Sequence, residues 1–129
     1  MEIPEGVKLY EHLIATFWFD EDGILHSVSK PAPRTIEVMT EYVVFVKKMV
    51  NGQKVCILTD ISNATQMDKR AREYTEMELK NIYRAMAIVS SSSVGRMIGN
   101  LFLKLNALSF PTKMFADERD AKAWLKKQL

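Results

Sequence analysis

The side chains best suited to chemistry are few and scattered. His12 and His26 flank the first apolar segments, and neither has a cysteine or paired carboxylate at metal-ligand spacing. A closed zinc site takes four such ligands, and the chain holds one cysteine, so both read as ordinary core or surface histidines. Cys56 lies within the apolar run Val55-Cys56-Ile57-Leu58 and reads as a small buried hydrophobe rather than a reactive thiol. Asp20-Glu21-Asp22 is acidic, but the following Gly23-Ile24-Leu25 lacks the alternating oxygen ligands of a calcium loop, so a solvated turn is the expectation. There is no Gly-x-Ser-x-Gly elbow. The residues therefore predict no enzyme, no metal and no cofactor.

One stretch has the makings of an anion site. Ser90 to Ser93 run into Val94-Gly95-Arg96, a small-residue loop entering a helix N-terminus, where Ser93 and Arg96 could hold an anion. The loop lacks the lysine of a Walker motif. The plainer alternative is a helix cap from Ser92 or Ser93. Gly95 and Gly99 lie four apart, so they share a helix face and admit a close neighbour.

The elements that would position these residues follow from periodicity. Leu13 to Asp20 and Ile24 to Val28 are rich in β-formers and are joined by a glycine turn, which makes a hairpin. Lys30-Pro31-Ala32-Pro33-Arg34 breaks it. Thr35 caps a helix over Ile36 to Val50, whose Ile36, Met39, Val43, Val46 and Val50 share one face, and Asn51-Gly52 ends it. Lys54 to Thr59 and Ile82 to Val89 read as buried strands, the second with Ala85, Ala87 and Val89 on one face. A charged helix spans about Asp68 to Lys80, with Ala71, Tyr74 and Met77 or Glu78 on its mixed face. A third helix runs from Val94 to Leu105, with Met97, Ile98, Leu101, Phe102 and Leu105 as its stripe. After the connector Asn106 to Pro111, a short strand at Thr112 to Phe115 precedes a final helix capped by Asp117. The order ββαβαβαβα predicts one α/β domain over residues 1–129, with a mixed, mostly parallel five-stranded sheet and four helices.

At 129 residues, 47% hydrophobic and 26% charged, the chain suits one ordinary globular core. Its net charge of +2 comes from 18 basic and 16 acidic residues spread along the chain, which is not the clustered footprint of a nucleic-acid binder. The N-terminus lacks a signal-peptide pattern, and no apolar run approaches the roughly 18 residues that cross a bilayer, so a cytoplasmic location is expected.

These placed segments resemble the SpoIIAA-like group, which includes the STAS domains and shares its general fold with SEC14 lipid-binding domains. The carriers are Trp18 to His26, Ile57-Leu58-Thr59-Asp60-Ile61, Ala71-Arg72-Glu73-Tyr74, and Phe115 to Leu125. Within the group the chain is most similar to small bacterial single-domain proteins of unassigned function. The resemblance implies a non-catalytic regulatory or protein-interaction module, expected as a homodimer, that binds through the Asp60 to Thr65 loop, the adjoining helix start or the extra apolar helix face. It also places a phosphorylatable residue after the third strand, in Asp60-Ile61-Ser62-Asn63-Ala64-Thr65, where Ser62 and Thr65 are the candidates. The family's Asp-Ser-Ser-Gly-type signature is absent from this loop. The plain reading of both residues is turn and capping.

Two helices carry more apolar residues than one buried face needs. Val38, Tyr42, Phe45 and Met49 form a second stripe on the long helix, and Leu103 widens that of the third. Either the core is wide or this surface meets a partner or an apolar ligand. The alternative function is accordingly a SEC14-like carrier of a lipid or other small apolar molecule, with Met39, Met49, Met97 and Phe102 as adaptable lining.

Overall fold

The structure is a computed structural model that describes residues 1–105 and 108–129. Asn106 and Ala107 of the expected connector, and the Leu105 side chain of the expected stripe, lie outside the described residues. The elements in order are β1 (Tyr10–Glu11), β2 (Ala15–Phe19), β3 (Leu25–Ser29), α1 (Ile36–Val50), β4 (Val55–Asp60), α2 (Lys69–Leu79), β5 (Tyr83–Val89), α3 (Ser93–Leu105), β6 (Thr112–Phe115) and α4 (Glu118–Lys126).

All six strands form one sheet in sequence order, antiparallel from β1 to β3 and parallel from β3 to β6. The sheet therefore has six strands rather than five. The extra one is β1, which pairs Tyr10 with Phe17 and Glu11 with Thr16. A two-residue strand has no periodicity of its own, and only its pairing with β2 defines it.

Parallel neighbours are joined by right-handed crossovers as a rule, and steps in one direction across a sheet put successive helices on one face. Residues of α1 and α2 share one core with Phe17, Leu25, Ile57, Met86 and Ile88, and Phe102 and Leu103 of α3 pack against it. The chain then turns back after β6, so α4 covers the other face. There Ala121 and Leu125 meet Ile24, Cys56, Leu58, Ala85, Ala87 and Val89.

Local signals set most boundaries. Asp20 Oδ1 accepts from the amides of Asp22 (2.8 Å) and Ile24 (3.1 Å), and Gly23 adopts φ +78°, which closes the β2–β3 hairpin. Thr35 Oγ1 accepts from Val38 N at 3.2 Å to start α1, and Asn51 (φ 52°) with Gly52 ends it in the left-handed region. Asp68 and Asp117 cap α2 and α4 through the amides of Ala71 and Asp120.

Two helices are phased differently from the sequence expectation. α2 buries Ala71, Thr75 and Leu79, and Met77 is exposed. Thr75 can occupy the core because its hydroxyl donates to the Ala71 carbonyl at 2.8 Å. α3 turns its glycines inward rather than its large side chains. Gly95 and Gly99 are buried, Ile98, Phe102 and Leu103 are half-buried, and Met97 and Leu101 are exposed.

The two glycines do different work. A Cβ at Gly95 would lie 2.9 Å from the Ile61 carbonyl oxygen and 2.8 Å from Ser92 Oγ. At Gly99 the nearest atoms to a Cβ would be the side-chain ends of Ile61 and Met114, at 2.9 Å. Backbone cannot retreat as a methyl or thioether can. Gly95→Ala should therefore cost about 1–3 kcal/mol in urea unfolding. Gly99→Ala should come out closer to neutral, because side-chain movement is cheap and alanine gains about 1 kcal/mol of helix propensity. Equal losses at both positions would contradict this packing.

Candidate functional site

A cavity of about 200 Å³ lies between the sheet and the three-helix layer. Its floor follows from strand alternation, since every second side chain of β2 to β5 points to the same face. Ala15 and Phe17, Ser27 and Ser29, Ile57 and Thr59, and Met86 and Ile88 supply it. Met39 and Tyr42 of α1, Thr75 and Leu79 of α2, and Ile98, Gly99 and Phe102 of α3 form the walls. The loop Ile61 to Met67 closes one end, and the exposed Gln66 and Leu101 stand at the rim.

The hydroxyls that face the cavity are committed to the fold. Ser27 Oγ donates to Thr59 Oγ1 at 2.7 Å, and Ser29 Oγ accepts from Asn63 N at 3.2 Å. The Tyr42 and Tyr83 hydroxyls bond to each other at 2.7 Å, and burial pushes both phenols up. Among the described residues, Arg34 and Arg72 also line the cavity, and no aspartate or glutamate does. Arg34 Nε is shut away from solvent without a hydrogen-bond partner among the described residues. Burial lowers the Arg34 pKa from its ordinary value, and proximity to Tyr42 opposes that only in part.

The structure brings the Asp60 to Thr65 loop and the four-serine loop together at the carboxyl ends of β4 and β5. Buried Asp60 accepts from the Ser62 amide and hydroxyl and from the Met1 amine. Burial raises its carboxyl, but these bonds outweigh that and hold it below the usual range. Ser62 Oγ accepts from Ser91 N at 2.9 Å, and Ser92 Oγ donates to the Ser62 carbonyl at 2.9 Å. Thr65 Oγ1 donates to the Ala32 carbonyl at 2.8 Å. Both candidate switch residues are thus half-buried and engaged. A phosphate on Ser62 would stand against the Asp60 carboxylate and force the loops apart rather than brace them. Ser92, not Ser93, caps α3 by accepting from Gly95 N at 2.9 Å. Ser93 and Arg96 line a shallow outer groove with Met97, Asn100 and Lys104, and this groove shares Gln66 and Leu101 with the cavity.

The remaining candidates divide. Tyr42 is buried, and Val38, Phe45 and Met49 are half-buried against the main core, so the second stripe of α1 packs inside the molecule. Of the adaptable lining, Met39 and Phe102 face the cavity, whereas Met49 and Met97 do not. Sequence reasoning missed Arg34 and Arg72. Arg34 directly precedes the α1 cap, and Arg72 follows the buried Ala71, but nothing in either residue's local pattern marks it as facing a cavity.

The acidic turn has a structural role. Asp20 Oδ2 bonds to His26 Nε2 at 2.8 Å, His26 stacks on Trp18, and Lys122 of α4 lies 3.4 Å from Asp20 and 3.0 Å from Glu21. Among the described residues no group of three or more His, Cys, Asp or Glu side chains could hold a metal ion. Burial would raise the Asp20 carboxyl, but bonds from His26 and the Asp22 and Ile24 amides hold it below its ordinary value. A carboxyl depressed by folding adds stability above its unfolded pKa of roughly 4, and that share is lost as the pH falls through the folded value. Asp20→Asn should therefore lower stability at neutral pH and flatten the acid limb of a urea-midpoint profile. An acid limb as steep as the parent's would show that Asp20 does not carry it.

A family model described as a domain of unknown function, DUF7793, matches residues 17–129. Among solved structures, the chain is similar to an uncharacterized protein of the DUF3478 family from Shewanella loihica PV-4, described as having a SpoIIAA-like fold. The two are 16% identical with a TM-score of 0.59, over 97% of this chain and 98% of that one. A protein of unknown function from Arthrobacter sp. FB24 is 28% identical over 85% of this chain and 97% of its own, with a TM-score of 0.31. No curated protein matches. The fold is SpoIIAA-like, as the sequence resemblance implied. No helix among the described residues is long and apolar enough to cross a membrane.

Proposed function

The chain belongs to the DUF7793 family, whose description assigns no activity, and we propose that it is a cytoplasmic, non-catalytic module that binds a small apolar ligand between the sheet and α3. The observation that carries this reading is the cavity of about 200 Å³, with its mainly aliphatic, methionine and aromatic lining. Cores are close-packed, with few voids larger than a water molecule. The apolar side chains around the pocket forgo the contacts that a filled core would give them. A bound apolar molecule restores those contacts. The cavity hydroxyls support a binding role, since they pair with one another and with backbone rather than with a histidine or carboxylate.

Added 1-octanol should raise the melting temperature by several degrees at saturating concentration. Ile98→Trp, which fills the α3 wall, should fold and lose that rise. No shift in the parent protein, together with a ligand-free mass by native mass spectrometry, would refute the reading.

A second reading, a regulatory module that pairs with another copy of the chain, is favoured by one surface. Val94, Met97 and Leu101 are 60%, 55% and 42% exposed and fall at i, i+3 and i+7 on α3. Sedimentation velocity should then show a dimer that Met97→Glu dissociates. A parent protein that stays monomeric at high micromolar concentration would dismiss it.

A further inference from the structure

The cavity is apolar in most of its lining yet carries unbalanced charge. Arg34 and Arg72 both line it, no carboxylate does, and neither arginine has an ion-pair partner among the described residues. Arginine stays protonated at any physiological pH, so it cannot escape burial by neutralising. A guanidinium nitrogen withdrawn from water without a partner is costly, and the rest of the fold meets its polar groups with care. Among the described residues His26 Nδ1 is the other buried side-chain atom without a partner, and His26 pairs with Leu58, which faces α4 on the far side of the sheet.

Arg34 is also held in place. Pro31 and Pro33 restrict the backbone just before it, the Ala32 carbonyl is anchored by Thr65, and the α1 cap at Thr35 follows directly. The outer groove that shares Gln66 and Leu101 with the cavity adds Arg96 and Lys104 and, among the described residues, again no carboxylate. Positive charge at a cleft mouth raises the local concentration of anions.

We propose that the ligand of this cavity is an amphiphile with one anionic oxygen head, a carboxylate or a phosphate monoester, held by Arg34 and Arg72 with its alkyl chain against Met39, Ile98 and Phe102. The inference rests on the cavity being a ligand site. It specifies which ligands bind tightly, since a plain alcohol of equal length can accept a hydrogen bond but leaves both positive charges uncompensated. A fork of N–H donors matches either head group, so the shared chemistry is the oxyanion.

The test is isothermal titration of the full chain with octanoate, octyl phosphate and 1-octanol, and with acetate and inorganic phosphate as tail-less controls. At least one octyl anion should bind roughly tenfold or more tightly than octanol, the scale of a charge-assisted hydrogen bond. Which one binds tighter identifies the head group. Arg34→Gln should erase that preference, so that the octyl anions bind no more tightly than octanol does, with Arg72→Gln giving a smaller loss in the same direction. Arg34→Met should melt no lower than the parent when ligand-free, because it removes a half-buried guanidinium whose Nε has no partner among the described residues.

Equal binding of octanol and both octyl anions would overturn the anionic head and leave the cavity reading standing. Binding of none of the three would overturn both. Acetate or phosphate binding as tightly as its octyl counterpart, or a marked fall in the melting temperature of Arg34→Met, would also overturn the proposal.

Discussion

The inner strands of this sheet have helices on both sides, so their alternate side chains must suit two interlayer distances at once. β5 carries both requirements in seven residues. Ala85, Ala87 and Val89 face α4, where small side chains let Ala121 and Leu125 come close. Tyr83, Met86 and Ile88 face the three-helix layer, where bulk is needed. A register irregularity reconciles the two sets: Val55 pairs with Tyr83, but Cys56 pairs with Ala85, which leaves Arg84 as an exposed extra residue. Without that bulge, Tyr83 and Ala85 would share a face, and the tyrosine would collide with the thin α4 side.

The thick side is where the fold leaves room. Tyr83 reaches up to Tyr42, so α1 stands on large side chains and a buried hydroxyl pair. α3 approaches the sheet differently, through glycine backbone against Ile61 and Met114. A layer supported by rings at one helix and by bare backbone at another does not close evenly, and the cavity occupies the difference. Charge divides along the same line. The carboxylates of the β2–β3 turn clamp Lys122 and Lys126 of α4 on the thin side, whereas the cavity on the thick side has arginines and no carboxylate.

What the sequence disclosed depended on how local each cause was. The α1 boundaries were legible because Thr35 and Asn51-Gly52 act on their immediate neighbours. The inward alanines of β5 were legible from alternation. β1 was not, because two residues carry no pattern. α2 was misphased because hydropathy ranks Met77 above Thr75, whereas a threonine that bonds within its own helix can be buried at little cost. α3 was misjudged for a related reason. Its large apolar residues looked like a core stripe, but the closest packing was available only to Gly95 and Gly99, which turned Met97 outward. Arg34 and Arg72 were invisible, since whether an arginine is desolvated depends on what the rest of the chain folds around it.

The same distinction separates the Asp60 and four-serine loops from the cavity. Asp60 is buried at the end of β4 and needs donors, and Ser62 supplies two of them. In turning to do so, Ser62 presents its carbonyl to Ser92 and its oxygen to the Ser91 amide, so each serine answers a need created by another. Such a network is complete within the chain, and its residue types are explained by the fold alone. Arg34 is not explained in that way. A neutral side chain at that position would spare the fold a buried Nε without a partner among the described residues. On the ligand reading proposed above, the oxyanion of the bound molecule answers the guanidinium, and its alkyl chain suits the apolar walls around it.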